Sequence, residues 1–310
     1  MIKKLKPAGN FLWGQGWIVL LYTSIIWGCN AVAAKLATGE ISPMFLVFFR
    51  WLIVCTILWP FIRKDFLLNK DILINDWKKL LGMGFSGFTG FSALYYLAAY
   101  KTSALNITIL QSSMPPMIML GSWLLFKEKL GILRFLGMML SITSIIVIGT
   151  KGDLNQLIGL SFNYGDLAII LACALYAIYT LSLRNRPKVP AIVFFFGMSI
   201  SALLSSLVLV CIEIFSGYTY MPTLKGMLVL IFVAFGPTLS AQLAYMRGVE
   251  LLGPSRASLF PSLVPAFGAI FAVVILNEPF KLYHLIALTL GLSGICLSEM
   301  IFKRIKLVSA

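Results

Sequence analysis

The chain reads as an all-α, multi-pass membrane protein, and three features carry that reading. Hydrophobic residues fill 60% of its 310 positions and charged ones 12%, at a mean hydropathy of +0.94, a balance outside the range of water-soluble domains. The apolar residues collect into runs of about twenty, the length a helix needs to cross a hydrocarbon core. The second half of the chain also repeats polar and bent positions of the first at a fixed offset.

The runs fall at 17–36, 43–62, 80–100, 104–126, 132–150, 165–183, 191–213, 226–249, 256–276 and 282–302, which predicts ten transmembrane helices. The first has the basic start of a secretory leader, but it is of spanning length and Trp27 is a poor substitute for a small cleavage-site residue, so it is read as a span. Lys and Arg number 25 against 11 Asp and Glu. They gather in short segments between runs, at Lys3, Lys4, Lys6, Arg63, Lys64, Lys70, Lys78, Lys79, Lys127, Lys129, Arg184, Arg186, Lys188, Arg247, Arg256, Lys303, Arg304 and Lys306. Only Lys35, Lys101, Lys151, Lys225 and Lys281 fall at the other ends. This asymmetry is a topology signal rather than a nucleic-acid surface, and it predicts an inner or plasma membrane protein with both termini cytoplasmic. The five cysteines, Cys29, Cys55, Cys173, Cys211 and Cys296, sit within apolar runs at no paired or metal-ligand spacing, so neither a disulfide framework nor a metal site is expected. No cofactor is implied.

Displaced by 150 residues, Tyr95 meets Tyr245, Ser112 meets Ser262, Pro115 meets Pro265 and Glu128 meets Glu278 without a gap. The halves 17–150 and 165–302 are therefore read as copies of five spans each. Five is odd, so the second copy must enter the membrane in the opposite sense, the inverted-repeat plan of secondary transporters. The fourth span carries "QSSMPPM" and the ninth "FPSLVPAF", which puts prolines beside hydroxyls at mid-membrane in both halves. A proline inside a helix leaves a carbonyl without its donor, and such backbone is tolerated only when buried in protein or lining a wet cavity. Gln111, Ser112 and Ser262 are candidates to supply donors or to bind a solute, and Pro115 and Pro265 are expected to act as hinges.

The stretches "IIWGCNAVAAKLATGEISPMFLVFFRWLIV", "LLFKEKLGILRFLGMMLSITSIIVIG" and "VILNEPFKLYHLIALTLGLSGICL" resemble the EamA family of the drug/metabolite transporter superfamily. The shared pattern is a Trp-Gly-x-Asn stretch with a following Lys, a Pro and then an Arg in the second span, and a Glu opening the last helix of each half. The resemblance implies ten spans in two EamA repeats and a carrier for small metabolites, often amino acids, frequently in export. The second half departs from it: "YAIYTLSLR" replaces the Trp-Gly-x-Asn stretch, and no Arg matches Arg50.

Arg50 lies about 10 Å inside the second span at helical rise. A cation at that depth serves either as counter-charge for an anionic substrate group or as a pinned interior residue bonding backbone carbonyls or snorkelling outward. Polar and aromatic residues also recur at helical spacing: Thr23, Trp27 and Asn30; Ser86, Thr89, Tyr96 and Tyr100; Tyr176 and Tyr179; Thr238, Gln242 and Tyr245. Such faces point away from lipid, toward either a solute or interhelical hydrogen bonds. Trp27, Asn30, Tyr96, Tyr176, Tyr179 and Gln242 join Arg50 as expected lining residues. Glu128 and Glu278 open the final helix of each half and are read as helix caps, as is Asp166 at the start of the sixth span.

An enzyme reading has one hook: "GFSG" at 84–87 and "GLSG" at 291–294 resemble the Gly-x-Ser-Gly of rhomboid proteases, with His284 as the one histidine. On the predicted topology Ser86 and His284 lie on the order of 15 Å apart in depth, and Ser293 is nine residues from His284 on the same helix. Glycine-mediated packing explains the motif better. A non-transporting scaffold or sensor would need a soluble domain to signal through. The expectation is a non-enzymatic secondary transporter that exports small polar metabolites, such as amino acids, by alternating access.

Overall fold

The computed structural model describes residues 13–127, 131–153, 163–253, 257 and 260–308; Glu128 lies outside them. The described residues form helices in this order: α1 (Gly16–Ala37), α2 (Pro43–Leu68), α3 (Lys70–Asn75), α4 (Trp77–Gly84), α5 (Phe91–Ala98), α6 (Ala104–Leu110), α7 (Met114–Phe126), α8 (Ile132–Gly149), α9 (Tyr164–Ser182), α10 (Ala191–Phe215), α11 (Leu224–Val233), α12 (Ala241–Leu252), α13 (Val264–Leu276) and α14 (Leu282–Val308). Six stretches are long and apolar enough to cross a bilayer: Gly16–Ala37, Pro43–Leu68, Ala104–Phe126, Tyr164–Asn185, Ala191–Phe215 and Leu224–Leu252. Phe135–Gly149, Pro261–Leu276 and Leu282–Leu297 are shorter apolar helices. The protein is an all-α, multi-pass membrane protein. The expected span at 80–100 is helical from Trp77 to Ala98, but in three pieces.

Departures from α geometry recur at matched places. π-helical segments at Phe85–Gly90 and Ala234–Ser240 join α4 to α5 and α11 to α12. Single 3-10 turns, Gln111–Ser113 and Pro261–Leu263, join α6 to α7 and precede α13. Lys127 (φ +53°) and Asn277 (φ +52°) end α7 and α13 in the left-handed region. These turns correct the expectation of a proline-interrupted helix. The helix stops at the 3-10 turn and restarts, so Pro115 and Pro265 sit in the first turns of α7 and α13. A first-turn N–H has no intrahelical acceptor, so a proline there forfeits nothing. Pro60 in α2 and Pro237 in the second π segment do sit inside helices, where a proline would orphan a carbonyl; for Pro237 the Thr238 hydroxyl donates to that carbonyl, on Val233, at 2.8 Å.

The halves interlock. α1 packs on α12 and α13, α9 packs on α5 and α7, α2 runs along α10, and α8 runs along α14. Contact between α1 and α13 is close enough that a Cβ on Gly28 would stand 2.8 Å from the Phe267 Cβ, the small-residue packing that brings membrane helices together.

Carboxylates close several helix ends. Glu278 accepts the N–H groups of Ala104 and Leu105, both at 2.8 Å, so it caps α6 in the opposite half rather than α14, the helix that comes after it. Glu213 does the same for Met44 and Phe45 at the start of α2, at 3.1 and 3.2 Å. Asp166 forms a capping box with Asn163 at the start of α9. Each carboxylate meets the positive end of a helix dipole.

Candidate substrate site

A cavity of about 470 Å³ lies between the halves. Its wall is built in pairs 150 residues apart: Gly87 and Pro237, Phe88 and Thr238, Ser92 and Gln242, Tyr95 and Tyr245, Gln111 and Pro261, Met114 and Val264, Pro115 and Pro265. Trp27 and Asn30 enter from α1, Arg50 and Trp51 from α2, and Tyr176 and Tyr179 from α9. Tyr96 and Ser262 complete the expected set that the structure brings together.

Ser112 is the exception. It is fully buried and faces α14, where a Cβ on Gly291 would stand 2.6 Å from its Oγ. Neighbouring residues of a helical turn point about 100° apart, so Gln111 faces the cavity and Ser112 does not. The stripe Ser86, Thr89, Tyr96 and Tyr100 also divides. Thr89 turns to α10, donating to the Ala202 carbonyl at 2.9 Å with the Ser205 hydroxyl 2.7 Å away, while Ser92, Tyr95 and Tyr96 line the cavity. The π segment adds a residue to the turn and rotates the helix beyond it, which regular spacing does not anticipate. Thr23 is spent between α1 and α12, donating to the carbonyls of Val19 (2.9 Å) and Ala241 (3.2 Å). Trp51, Ser92 and Tyr95 line the cavity without having stood out in the sequence as lining residues; adjacency to Arg50 and to Tyr96 was the available signal.

Among the described residues Arg50 is the one charged residue lining the cavity, and it is only 7% exposed. Its Nη2 donates to Ser92 Oγ at 2.6 Å and its Nη1 to the Tyr96 hydroxyl at 3.2 Å. The Tyr96 hydroxyl in turn donates to Asn30 Oδ1 at 3.1 Å. The guanidinium carbon stands 5.0 Å from the Trp51 ring and 5.7 Å from the Tyr96 ring. Its Nε–H is buried and has no hydrogen-bond partner, and among the described residues no carboxylate pairs with it. A buried cation held only by neutral hydroxyls and ring faces retains most of its attraction for an anion. Among the described residues no backbone carbonyl takes its hydrogen bonds.

Aromatic rings form the rest of the wall. Trp51 stacks on Phe88 at 4.7 Å and 7°, Tyr176 meets Tyr179 edge-on at 5.3 Å, and Trp27 lies 5.4 Å from Tyr245. The Trp27 indole N–H donates to the Pro237 carbonyl at 3.0 Å, tying α1 to the π segment of the other half. Tyr179 seats on Gly87, where a Cβ would stand 2.3 Å from the ring.

The cavity reaches Leu183, just past α9, and Phe195 in α10. A network joins the loop at 38–42, which precedes the Arg50 helix α2, to the loop at 216–223. Tyr220 donates to the Ile41 carbonyl at 3.0 Å and contacts the Tyr100 hydroxyl; its backbone N–H donates to Ser42 Oγ at 2.8 Å. Glu40 accepts from Thr223 and pairs with Lys225 at 3.2 Å, and these two partners hold its carboxyl below the usual range.

The residues behind the protease-like motifs serve their own helices. Ser86 donates to the Gly82 carbonyl at 2.8 Å, and His284 Nδ1 accepts the Lys281 N–H at 3.1 Å.

An interlocked all-α bundle around a polar, aromatic cavity with one buried cation is the form of a membrane carrier. The model of the EamA-like transporter family matches residues 14–150 and again 163–300, and the chain belongs to that family. It is 27% identical to the uncharacterized transporter YetK of Bacillus subtilis, over 94% of this chain and 89% of that protein. It is 23% identical to YyaM, another uncharacterized transporter of Bacillus subtilis, over 90% and 92% of the two chains. The uncharacterized inner membrane transporter YicL of Salmonella typhimurium is 25% identical over 94% and 97%. A solved protein crystal structure shares the fold at a TM-score of 0.63, with 17% identity across 94% of this chain and 98% of that one.

Proposed function

We propose that the protein is a secondary transporter of the cell membrane that exports small carboxylate-bearing metabolites, amino acids among them, by alternating access between two inverted repeats. The observation that carries this reading is Arg50: a buried cation on the cavity wall, oriented by Ser92 and Tyr96, with its Nε–H unspent and, among the described residues, no carboxylate to neutralise it. A substrate carboxylate would take that place, and Asn30, Gln111 and Gln242 would orient the remaining polar groups between the aromatic walls. Pro115 and Pro265, beside matched 3-10 turns, would be the flexure points, and Ser262 and the paired tyrosines would stay in contact with the solute.

With both termini cytoplasmic, the loops joined by Tyr100, Tyr220 and Glu40 would lie on the outer side, and loading for export would take place from the opposite, cytoplasmic side. The test is uptake and efflux by the purified protein in liposomes against labelled amino acids, other organic acids and their amides. Flux of carboxylates, but not of their amides, above empty vesicles is the expected result; flux of neither rejects the reading. Orientation is checked separately with cysteines at 70 and 188, which an impermeant thiol reagent should not reach in intact cells, and at 220, which it should.

A further inference from the structure

A second concavity, of about 800 Å³, lies on the outer surface between the end of α2, α3, α4 and α10. Its floor includes buried Leu73 and Leu80, and its rim includes exposed Ile74, Trp77, Phe85 and Val208. The hydroxyls that reach it are already spent. Ser201 donates to the Gly197 carbonyl at 3.0 Å, and Ser205 donates to the Ser201 carbonyl at 2.8 Å. Apart from Lys70, a polar solute would find no unspent partner among the described lining residues; a hydrocarbon chain would find an apolar wall.

The charge lies at one end. Lys70 is the charged residue in the lining, and Lys78 stands over the Trp77 ring at 5.7 Å. Lys79 is engaged by Asp76 at 2.6 Å, whereas no ion pair is formed by Lys70 or Lys78 among the described residues. Arg63 and Lys64 near the end of α2 outweigh Asp65, and Asp71 is the remaining acid of this corner. An apolar groove with ammonium groups beside it that form no ion pair among the described residues matches a lipid whose head is anionic.

We propose that this groove holds one acyl chain of an anionic phospholipid, with its phosphate between Lys70 and Lys78. The site is separate from the central cavity and does not depend on what the carrier moves. A bare acyl chain would not need the lysines, and a second copy of the protein would not select by headgroup.

Native mass spectrometry of the purified protein, released from micelles holding equal phosphatidylglycerol and phosphatidylcholine, tests the proposal. One phosphatidylglycerol should remain bound in preference to phosphatidylcholine. Lys70→Gln and Lys78→Gln should each lower its retention about fivefold, the effect of about one surface lysine on an anionic headgroup. Val208→Trp, which fills the groove from an exposed position, should displace both lipids. Thermal unfolding in lipid-free detergent should match wild type for the lysine variants, which separates loss of lipid from loss of fold. Equal retention of the two lipids by wild type, undiminished phosphatidylglycerol in the double lysine variant, or a lipid-free dimer in place of the lipid adduct would overturn it.

Discussion

The two halves of the chain repeat the same breaks in their helices and differ in chemistry. π segments, 3-10 turns and left-handed helix ends recur 150 residues apart, at Phe85–Gly90 and Ala234–Ser240, Gln111–Ser113 and Pro261–Leu263, Lys127 and Asn277. Most side chains at those places do not recur, Phe85 with Phe235 and Ser112 with Ser262 being matches. Ser92, which holds the guanidinium, is matched by Gln242, and Gln111 is matched by Pro261. α2 brings Arg50 to the cavity, whereas α10 contributes Phe195 and carries its one charged residue, Glu213, near its far end as a helix cap. Where the first half offers Trp27 and Asn30, the second offers Tyr176 and Tyr179. The difference separates two tasks. Bending needs matched breaks in both halves; recognition of a charged group needs only one.

The comparison is broken most severely at the cation. Arg50→Gln should lower transport of a carboxylate solute at least about thirtyfold, the loss expected when one member of a buried charge pair is removed, while insertion and purification are unchanged. Phe195→Leu, a cavity change on α10, should cost less than about threefold by the same liposome assay, as a modest apolar truncation does. Comparable losses from the two variants would mean that the halves share recognition equally.

Removing the groups that aim the cation comes next. Tyr96→Phe and Ser92→Ala each delete one hydrogen bond to Arg50 and should reduce transport about tenfold, mainly through weaker substrate affinity. Gln242→Ala, at the position matching Ser92, should change it less. An inverted order would place the polar anchor in the second half.

The repeated breaks predict equal effects. Pro115→Ala and Pro265→Ala should express normally, because a first-turn proline is replaced without loss of a helix bond, and both should slow transport a few-fold to a similar degree. A cysteine placed at Gln111 should change its accessibility to a thiol reagent in both variants. Wild-type rates with unchanged accessibility would make the prolines packing features. The smallest expected effect is on stability: Glu278→Gln weakens the cap of α6 and should cost about 1 kcal/mol, read as a lower unfolding temperature in detergent.

Much of this architecture was legible in the sequence because lipid enforces simple rules. Apolar runs must be helices, and a repeated pattern of Pro, Ser and Tyr at one offset marks a repeated unit. Trp27, Asn30, Arg50, Tyr96, Gln111, Tyr176, Tyr179, Gln242 and Ser262 were found as polar or aromatic groups that lipid would reject, and they line one cavity. Ser112 was misplaced, and Thr89 parted from the face of Tyr96 to make the interhelical bond left open for its stripe, for a common reason. Regular helical spacing assigns a residue to a face, but a 3-10 turn or π segment resets that face. Glu278 shows a different limit. Its carboxylate caps amides 174 and 173 residues away, and nothing local to it in the chain says which helix end will arrive there.

The central claim is that recognition is one-sided and rests on Arg50. Its most direct test is calorimetric binding of a carboxylate solute and of its amide, using a substrate identified in liposomes, to the purified wild type and to Arg50→Gln. The account predicts that wild type binds the carboxylate at least about thirtyfold more tightly than the amide and that this preference vanishes in Arg50→Gln. If Arg50→Gln keeps the wild-type preference for the carboxylate, the cation is structural and the account is wrong.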